Sequence, residues 1–362
     1  MKNILITGGA GFIGSNFIHR ITKQRPDLNL INLDALTYAG NLDNLAQVQD
    51  LSNYHFIKGD IGDHDLVRSI LHNYEIDTVV NFAAETHVDR SILGPIQFLT
   101  TNVVATGVLL EAVRNYWQGK DATTLRFHHI STDEVFGSLN PGDPPFSESS
   151  QYSPNSPYSA SKAASDHLVR AYGHTYGLPV TISNCTNNYG PYQYPEKLIP
   201  LMIMNCLKGK PLPVYGDGLQ IRDWLYVEDH CEAIQLILER GRVGETYLIG
   251  GENQPTNLEI ISQITNILDE LRPDSPYKPH ANLIQYVQDR PGHDRRYAMD
   301  ITRMRNELGW EPKHDLVQGL RATVEWYLSN QEWVDKLIEK EGLSSWLKDN
   351  YANRSSSKLT NR

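Results

Sequence analysis

Thr7-Gly8-Gly9-Ala10-Gly11-Phe12-Ile13-Gly14 lies between an apolar run, Asn3-Ile4-Leu5-Ile6, and a helical pattern over 12–24. It satisfies G-x-G-x-x-G from Gly9 and the wider G-x-x-G-x-x-G from Gly8. Glycine lets the backbone turn tightly, approach a pyrophosphate and pack the helix on the sheet, while the helix N-terminus attracts the anion. A glycine turn without a ligand reads the same way, so context decides. Asp34 closes the run Asn29-Leu-Ile-Asn-Leu-Asp34, twenty residues after Gly14, where an acid accepts hydrogen bonds from an adenosine ribose. Neither Lys nor Arg occurs in Ala35-Leu-Thr-Tyr38, so a 2′-phosphate would meet an unrelieved carboxylate. The expected cofactor is therefore NAD rather than NADP, held by Gly8, Gly11, Phe12, Ile13, Gly14 and Asp34. Asp60 and Ile61, just past the third strand, are candidate adenine contacts; Asp60 equally reads as a cap for a helix over 63–73.

Outward from this loop, short apolar runs alternate with helical spacings, the pattern of a parallel sheet covered by helices. Strands are expected at 3–7, 29–34, 54–58, 77–83, 125–131 and 178–184, and helices near 12–24, 63–73, 96–117 and 158–176. The fold class is α/β, a doubly wound parallel sheet of the Rossmann type with a smaller C-terminal substrate-binding lobe. Prolines and glycines break up the chain after 185, and a helix at 228–239 followed by Thr246-Tyr-Leu-Ile249 returns to the sheet. The expected division is 1–184 with 226–250 for the cofactor, 185–225 with 251–330 for the substrate, and 331–362 as a partly frayed extension.

The chain has 362 residues, 40% hydrophobic and 21% charged, with a formal net charge of −10. This composition is globular and excludes disorder as the main state. The acidic balance disfavours nucleic acid and anionic membranes as partners. Cys185, Cys206 and Cys231 form no even set and no metal spacing, so neither a disulfide framework nor a metal site is expected, and a reducing cytoplasm fits. No signal peptide and no run of ~18 apolar residues is expected.

Tyrosine has a pKa of ~10 and needs help to act as a base near neutrality. A lysine four residues on lies on the same helix face and stabilises the phenolate. Three Tyr-x-x-x-Lys pairs occur. Tyr54/Lys58 falls in a strand and Tyr116/Lys120 at a helix end beside Gly119, and both read as structural. Tyr158/Lys162 follows Ser156-Pro157, a cap and a first-turn proline, and is the catalytic candidate. The strand before it ends in Ser131-Thr132, hydroxyls able to bond a substrate oxygen. Asp133 and Glu134 follow at once; adjacent acids at the ligand edge of a sheet can divide into acid and base when their environments differ. The alternative for this triplet is a helix cap or a solvated turn. His128 and His129 point to opposite strand faces and read as structural.

Thr7–Gly14, Ser131-Thr-Asp-Glu134 and Tyr158-Ser-Ala-Ser-Lys162 together resemble the extended short-chain dehydrogenase/reductases, and within them the sugar-nucleotide 4,6-dehydratases. Ala83–Ser91, Asn187–Tyr192, Pro195–Pro200, Arg222–Asp229 and Asp289–Asp294 agree, so the likeness covers about 1–330. Phe136 stands where the family has tyrosine, which reads as a packing change.

The resemblance implies NAD-dependent conversion of dTDP-glucose to its 4-keto-6-deoxy derivative, a hydro-lyase reaction feeding deoxysugar (dTDP-rhamnose type) biosynthesis. Tyr158, supported by Lys162, removes the 4-hydroxyl proton while the C4 hydride passes to NAD, and Thr132 bonds the same oxygen. Glu134 takes the C5 proton and Asp133 protonates the leaving 6-hydroxyl. Ala83, Ala84, Thr86 and Asn102 resemble residues of the nicotinamide half, with Tyr158 and Lys162 also facing the cofactor. Thr86, Thr132, Asn187, Lys197, Leu198, Arg222, Asn257 and Arg290 resemble the substrate cradle, and Pro213 and Tyr215 frame the pyrimidine. Lys197, Arg222 and Arg290, with Arg295 and Arg296 nearby, are expected to concentrate positive charge in one cleft. His87, Asp89 and Arg90 read as structural pairs and receive no functional role. A homodimer is implied, through the Tyr158 helix and its neighbour at 96–117. The alternatives are a 4,6-dehydratase for another nucleotide, a 4-epimerase, which has no need of the acid pair, or a non-catalytic NAD-binding regulator.

Overall fold

The computed structural model describes residues 1–339 together with Leu343, Ser345, Trp346 and Asn350. The expected fraying of 355–362 lies outside the described residues. In chain order the first half runs β1 (Asn3–Thr7), α1 (Phe12–Gln24), β2 (Asn29–Asp34), β3 (Tyr54–Lys58), α2 (His64–Asn73) and β4 (Thr78–Asn81). It continues with α3 (Val88–Leu93), α4 (Pro95–Leu99), α5 (Thr106–Trp117), β5 (Arg126–Thr132), α6 (Pro157–Tyr176) and β6 (Val180–Cys185). Then come β7 (Asn187–Tyr189), α7 (Leu198–Leu207), β8 (Leu212–Tyr215), β9 (Trp224–Tyr226), α8 (Val227–Arg240) and β10 (Thr246–Ile249). The last elements are α9 (Asn257–Leu271), β11 (Ile284–Val287), α10 (Leu316–Ser329) and α11 (Gln331–Glu339).

Seven strands form one sheet in the order β10-β6-β5-β4-β1-β2-β3, every pair parallel. Successive side chains of a strand face opposite ways. Ile4, Ile6, Leu30, Val80 and Ile130 accordingly meet Phe17, Ile18 and Ile21 of α1 and Cys231 and Ile234 of α8. Leu5, Ile31, Leu33, Val79 and Phe127 meet Val67 of α2, Leu109 and Val113 of α5 and Val169 of α6. The strand order reverses between β1 and β4, and at such a switch point the carboxyl ends of the strands open a crevice for ligands.

A further core gathers Met202 and Ile203 of α7, Leu212, Ile260 and Ile264 of α9, and Leu320 and Val324 of α10. Trp333, Val334, Leu337 and Leu343 are buried in it as well, so the stretch expected as an extension is packed at least that far. Asp89 and Arg90, read from the sequence as members of structural pairs, are paired here and act as ties across the crevice. Arg90 pairs with Glu196 at 3.0 Å, and Asp89 pairs with Arg290 at 3.3 Å while accepting from Tyr215 Oη at 3.0 Å.

One expectation needs correction. Pro95–Trp117 is a 23-residue helical stretch holding an 18-residue window of mean hydropathy 1.5, long and apolar enough to cross a membrane by length and composition alone. Its apolarity has a structural cause, because Phe98, Ala105, Leu109, Leu110, Val113 and Trp117 are buried within the protein. A π-helical segment at Thr100–Ala105 interrupts the stretch between α4 and α5. The three cysteines are free and buried.

Candidate active site

The cofactor half is built by the β1–α1 turn. Gly8 has φ +72°, a left-handed conformation open to glycine, and a Cβ there would lie 2.7 Å from the Ala83 amide nitrogen. A Cβ at Gly14 would collide with the Gly8 carbonyl. Helix α1 starts after Gly11 with no side-chain cap and no acid in its first turn, so its first amides are left to an anion. At the end of β2, Asp34 accepts from Ala10 N (2.9 Å) and Leu36 N (2.8 Å). Burial raises its pKa, opposed only by those two backbone bonds; no lysine or arginine contributes. A glycine cradle, an uncapped helix start and a carboxylate free of cations fit a dinucleotide with an unphosphorylated ribose. A cavity of about 310 Å³ joins these groups, lined by Gly8, Gly11, Phe12, Ile13, Gly14, Asp34, Asp60, Ile61, Ala83, Ala84 and Thr86.

Asp60 does not cap the following helix. Its Oδ1 accepts from Gly62 N at 2.7 Å, and Asp63 caps α2 through Leu66 N at 3.0 Å. Asn102 is not among the cavity-lining residues. It is buried behind the wall, accepting from Glu85 N (2.8 Å) and donating to Ser161 Oγ (2.8 Å), so it braces the loop after β4 against α6.

The same cavity is lined by Ser131, Thr132, Asp133, Glu134, Tyr158 and Lys162. Ser156 and Ser159 form a reciprocal capping box, each accepting from the other's backbone amide at 3.0 Å, with Pro157 opening α6. This start places Tyr158 in the first turn and Lys162 one turn deeper. Burial, the Glu134 charge and Cys185 push the Tyr158 hydroxyl well above its usual range, and its bond with Thr132 opposes them. Lys162 donates to Ile130 O at 2.8 Å; burial lowers its pKa and Asp166 opposes that. The other two Tyr-x-x-x-Lys pairs are local. Tyr54 accepts from Asn32 at 2.9 Å within the sheet, and Lys120 sits 3.3 Å over the Tyr116 ring.

The capping reading of the acidic triplet holds. Thr132 does cap a 3-10 turn over Asp133–Phe136, its Oγ1 accepting from Glu134 N at 3.3 Å and donating to Asp133 Oδ1 at 3.1 Å. The turn is not solvated, however. Asp133 is buried, and its Oδ2 has no hydrogen-bond partner among the described residues. Burial and then the Glu134 charge push Asp133 well above the carboxylate range. Burial also raises Glu134, but Arg290, Arg222 and Lys197 oppose it. Phe136 stacks on Phe146 at 5.0 Å and meets Tyr152 edge-on at 5.0 Å, a purely packing role.

Asn187 and Lys197 also line the cavity; Asn187 Oδ1 is buried without a hydrogen-bond partner among the described residues, and Lys197 donates to Thr86 O at 3.1 Å. Leu198, Pro213, Tyr215, Arg222, Asn257 and Arg290 are not among the lining residues. Arg222 and Arg290 nevertheless act on Glu134 electrostatically. The expected cluster is smaller than the sequence suggested: Arg295 pairs with Asp217 on the surface at 3.0 Å, and Arg296 holds Gln254 at 2.8 Å. Tyr38, Glu85, Gln193 and Glu196 line the cavity without having been singled out as site residues; Glu85 and Glu196 lie within Ala83–Ser91 and Pro195–Pro200, whereas no motif marks Tyr38 and Gln193.

Fold and site together define an NAD-type extended short-chain dehydrogenase/reductase with an added acid pair. A sequence profile of the family described as GDP-mannose 4,6 dehydratase matches residues 5–323. The chain is 56% identical over 342 residues to a dTDP-glucose 4,6-dehydratase of Xanthomonas campestris pv. campestris, covering 94% of this chain and 97% of that one. It superimposes on the Bacillus anthracis dTDP-glucose 4,6-dehydratase, solved in complex with NAD, with TM-score 0.83 and 48% identity, over 93% of this chain and 100% of that one. The Streptomyces venezuelae dTDP-glucose 4,6-dehydratase, also solved with NAD, gives 0.84 and 45%, over 92% and 99%. The chain belongs to the dTDP-glucose 4,6-dehydratase family of the extended short-chain dehydrogenase/reductases.

Proposed function

We propose that the chain catalyses the NAD-dependent dehydration of dTDP-glucose to dTDP-4-keto-6-deoxyglucose, with Tyr158, Lys162, Thr132, Asp133 and Glu134 carrying the chemistry. The observation that supports this division most is the contrast between Asp133, buried with a free oxygen, and Glu134, beside three cations.

Bound NAD supplies the redox capacity, accepting hydride from C4 and giving it to C6. Tyr158 takes the 4-hydroxyl proton, with the Lys162 charge favouring its phenolate and Thr132 holding the same oxygen. The 4-ketone acidifies the C5 proton, which Glu134 removes and later returns. Asp133 gives its proton to the departing 6-hydroxyl, so water leaves. Each turnover leaves Tyr158 one proton richer and Asp133 one poorer, and exchange with solvent resets the pair. Each positioned acid or base contributes ~10²–10⁴-fold.

Gly8, Gly11, Phe12, Ile13 and Gly14 hold the pyrophosphate side of the cofactor and Asp34 its ribose. Asp60 and Ile61 frame the adenine; Ala83, Ala84 and Thr86 flank the nicotinamide. The 1–184 and 226–250 segments serve as the NAD-binding domain, and 185–225 with 251–330 as the sugar-nucleotide lobe. There Asn187, Lys197, Leu198, Arg222, Asn257 and Arg290 hold the diphosphate, with Pro213 and Tyr215 at the base. The protein works as a homodimer in the cytoplasm. Support for the dimer is the exposure of Leu93, Ile96, Leu99 and Val104 along α3–α5, an apolar face suited to a second copy. Support for the compartment is three free thiols.

The test is incubation of the purified protein and NAD with dTDP-glucose, reading the alkali-induced absorbance of the 4-keto product, with UDP- and CDP-glucose in parallel. A 4-keto-6-deoxy product formed preferentially from dTDP-glucose is expected; absence of any ketone rejects the reading.

A further inference from the structure

Beneath the catalytic pair lies a buried carboxylate that the reaction above leaves unused. Asp166, one helical turn beyond Lys162 on α6, is wholly buried. Its Oδ2 accepts from Tyr152 Oη (2.7 Å), Ser131 Oγ (2.8 Å) and Asn184 Nδ2 (3.2 Å). Its Oδ1 makes no hydrogen bond among the described residues and faces His129 Nε2 at 3.5 Å.

His129 does not neutralise it. Asn81 accepts from Thr7 Oγ1 at 2.6 Å, so its amide N–H donates to His129 Nδ1 at 3.1 Å. The ring proton is thereby set on Nε2, toward Asp166 and Ser165. Burial, with the Lys162 charge second, holds His129 well below its usual range and therefore uncharged. The groups facing Asp166 are Lys162 and Arg170 on its own helix, His129 from β5 and Tyr152 from the loop before α6. Arg170 lies one step away, donating to Tyr152 Oη at 2.8 Å. The groups facing Lys162 are Asp166 on α6, His129 at 3.5 Å and Cys185 of β6. Among the described residues, Asp166 is the carboxylate that acts on Lys162 to favour its charged form.

An ammonium taken from water into a protein interior sheds its proton unless an opposite charge holds it. We propose that Asp166 is the positioning residue that keeps Lys162 charged and seated against Ile130 O, so that the lysine can stabilise the Tyr158 phenolate. Ser131, Tyr152 and Asn184 donate to the carboxylate and aim it, and Lys162, Tyr152, Ser131 and Arg170 oppose the burial that raises its pKa. The same chain, Thr7–Asn81–His129–Asp166, ties this charge pair to the end of the phosphate-binding strand. The idea rests on the functional reading above for its kinetic test, but its stability test does not.

The kinetic test is the pH profile of the oxidation step in single turnover, where Asp133 has no proton to give. Asp166→Asn lets Lys162 lose its proton more easily, so the alkaline limb moves to lower pH by about one unit or more. Asp166→Glu, which keeps the charge, retains the parent limb. A loss by the same factor at every pH, or equal losses for the two variants, overturns the proposal. Should Asp166→Asn fail to fold, Lys162→Met is added to it. Removing both partners of a buried pair is tolerated where removing one is not. The double variant then recovers soluble protein and a higher melting temperature than Asp166→Asn; no recovery overturns the proposal. Wild-type protein that forms no ketone from dTDP-glucose rejects the functional reading alone, since the stability comparison uses no substrate.

Discussion

Asp133 and Glu134 are consecutive in the chain, yet their surroundings separate them. Burial and then the Glu134 charge push Asp133 well above the carboxylate range, while at Glu134, which burial also raises, Arg290, Arg222 and Lys197 oppose that rise. Glu134→Gln therefore leaves the oxidation step in place and slows elimination by ~10²–10⁴-fold. Rapid quench with mass spectrometry should show a 4-keto intermediate that still carries its 6-hydroxyl. Equal losses in both steps would mean that Glu134 is not the C5 base. The pH response has a defined sign. The Glu134 charge helps Asp133 hold its proton, so in this variant Asp133 releases it at lower pH and the alkaline limb of residual elimination moves down. At this scale the residue types were legible in the sequence, because Ser131–Glu134 and Tyr158–Lys162 are short motifs. The resemblance already divided the two into base and acid; the physical basis for that division was not legible, since it depends on Lys197, Arg222 and Arg290, which lie 63 to 156 positions away in the chain.

Elements carry the next level of the argument. The start of α1 binds an anion only while the loop stays within contact of its own carbonyl, which Gly14 permits. Gly14→Ala puts a methyl group against Gly8 O, displaces the first helical amides and weakens NAD binding, measured by titration calorimetry, by tenfold or more. Gly107→Ala on α5 is the control. Nothing lies within 4 Å of a Cβ there, so NAD affinity is unchanged and helix stability rises by about 1 kcal/mol. Unchanged affinity in Gly14→Ala would separate this turn from the cofactor. The strands and α1, α2 and α6 were readable to within a few residues, because apolar alternation and helical spacing are local signals. The stretch 96–117 was read as one helix without its π-helical break at Thr100–Ala105. That break follows from how the segment packs, with Asn102 turned inward to Glu85 and Ser161.

For the whole molecule, α3–α5 present Leu93 at 74% exposure, Ile96 at 70% and Val104 at 60%. Large apolar side chains grouped on one face seek a partner surface. Ile96→Asp with Val104→Asp shifts the protein from dimer to monomer in sedimentation velocity, with its monomer fold intact by circular dichroism. A wild-type protein that sediments as a monomer at micromolar concentration would remove the dimer from the account. The net charge of −10 likewise makes sense only at this scale. It describes the solvated surface, while Lys197, Arg222 and Arg290 act together on Glu134 beside the cavity.

By itself the sequence determined the class of fold and the cofactor, and it named the side chains proposed for catalysis. These are written in contiguous signals: a glycine turn between strand and helix, an acid closing the second strand, and a tyrosine and lysine one helical turn apart. The tertiary structure decided what depends on distant groups meeting. It showed Asn102 to be a brace behind the wall, Arg295 to be a surface pair and Asp89 and Arg90 to be ties across the crevice, and it buried the Asp166 carboxylate one helical turn beyond Lys162. The physical reason is that proton affinity and burial are sums over neighbours in space, and a linear chain names only the neighbours along itself.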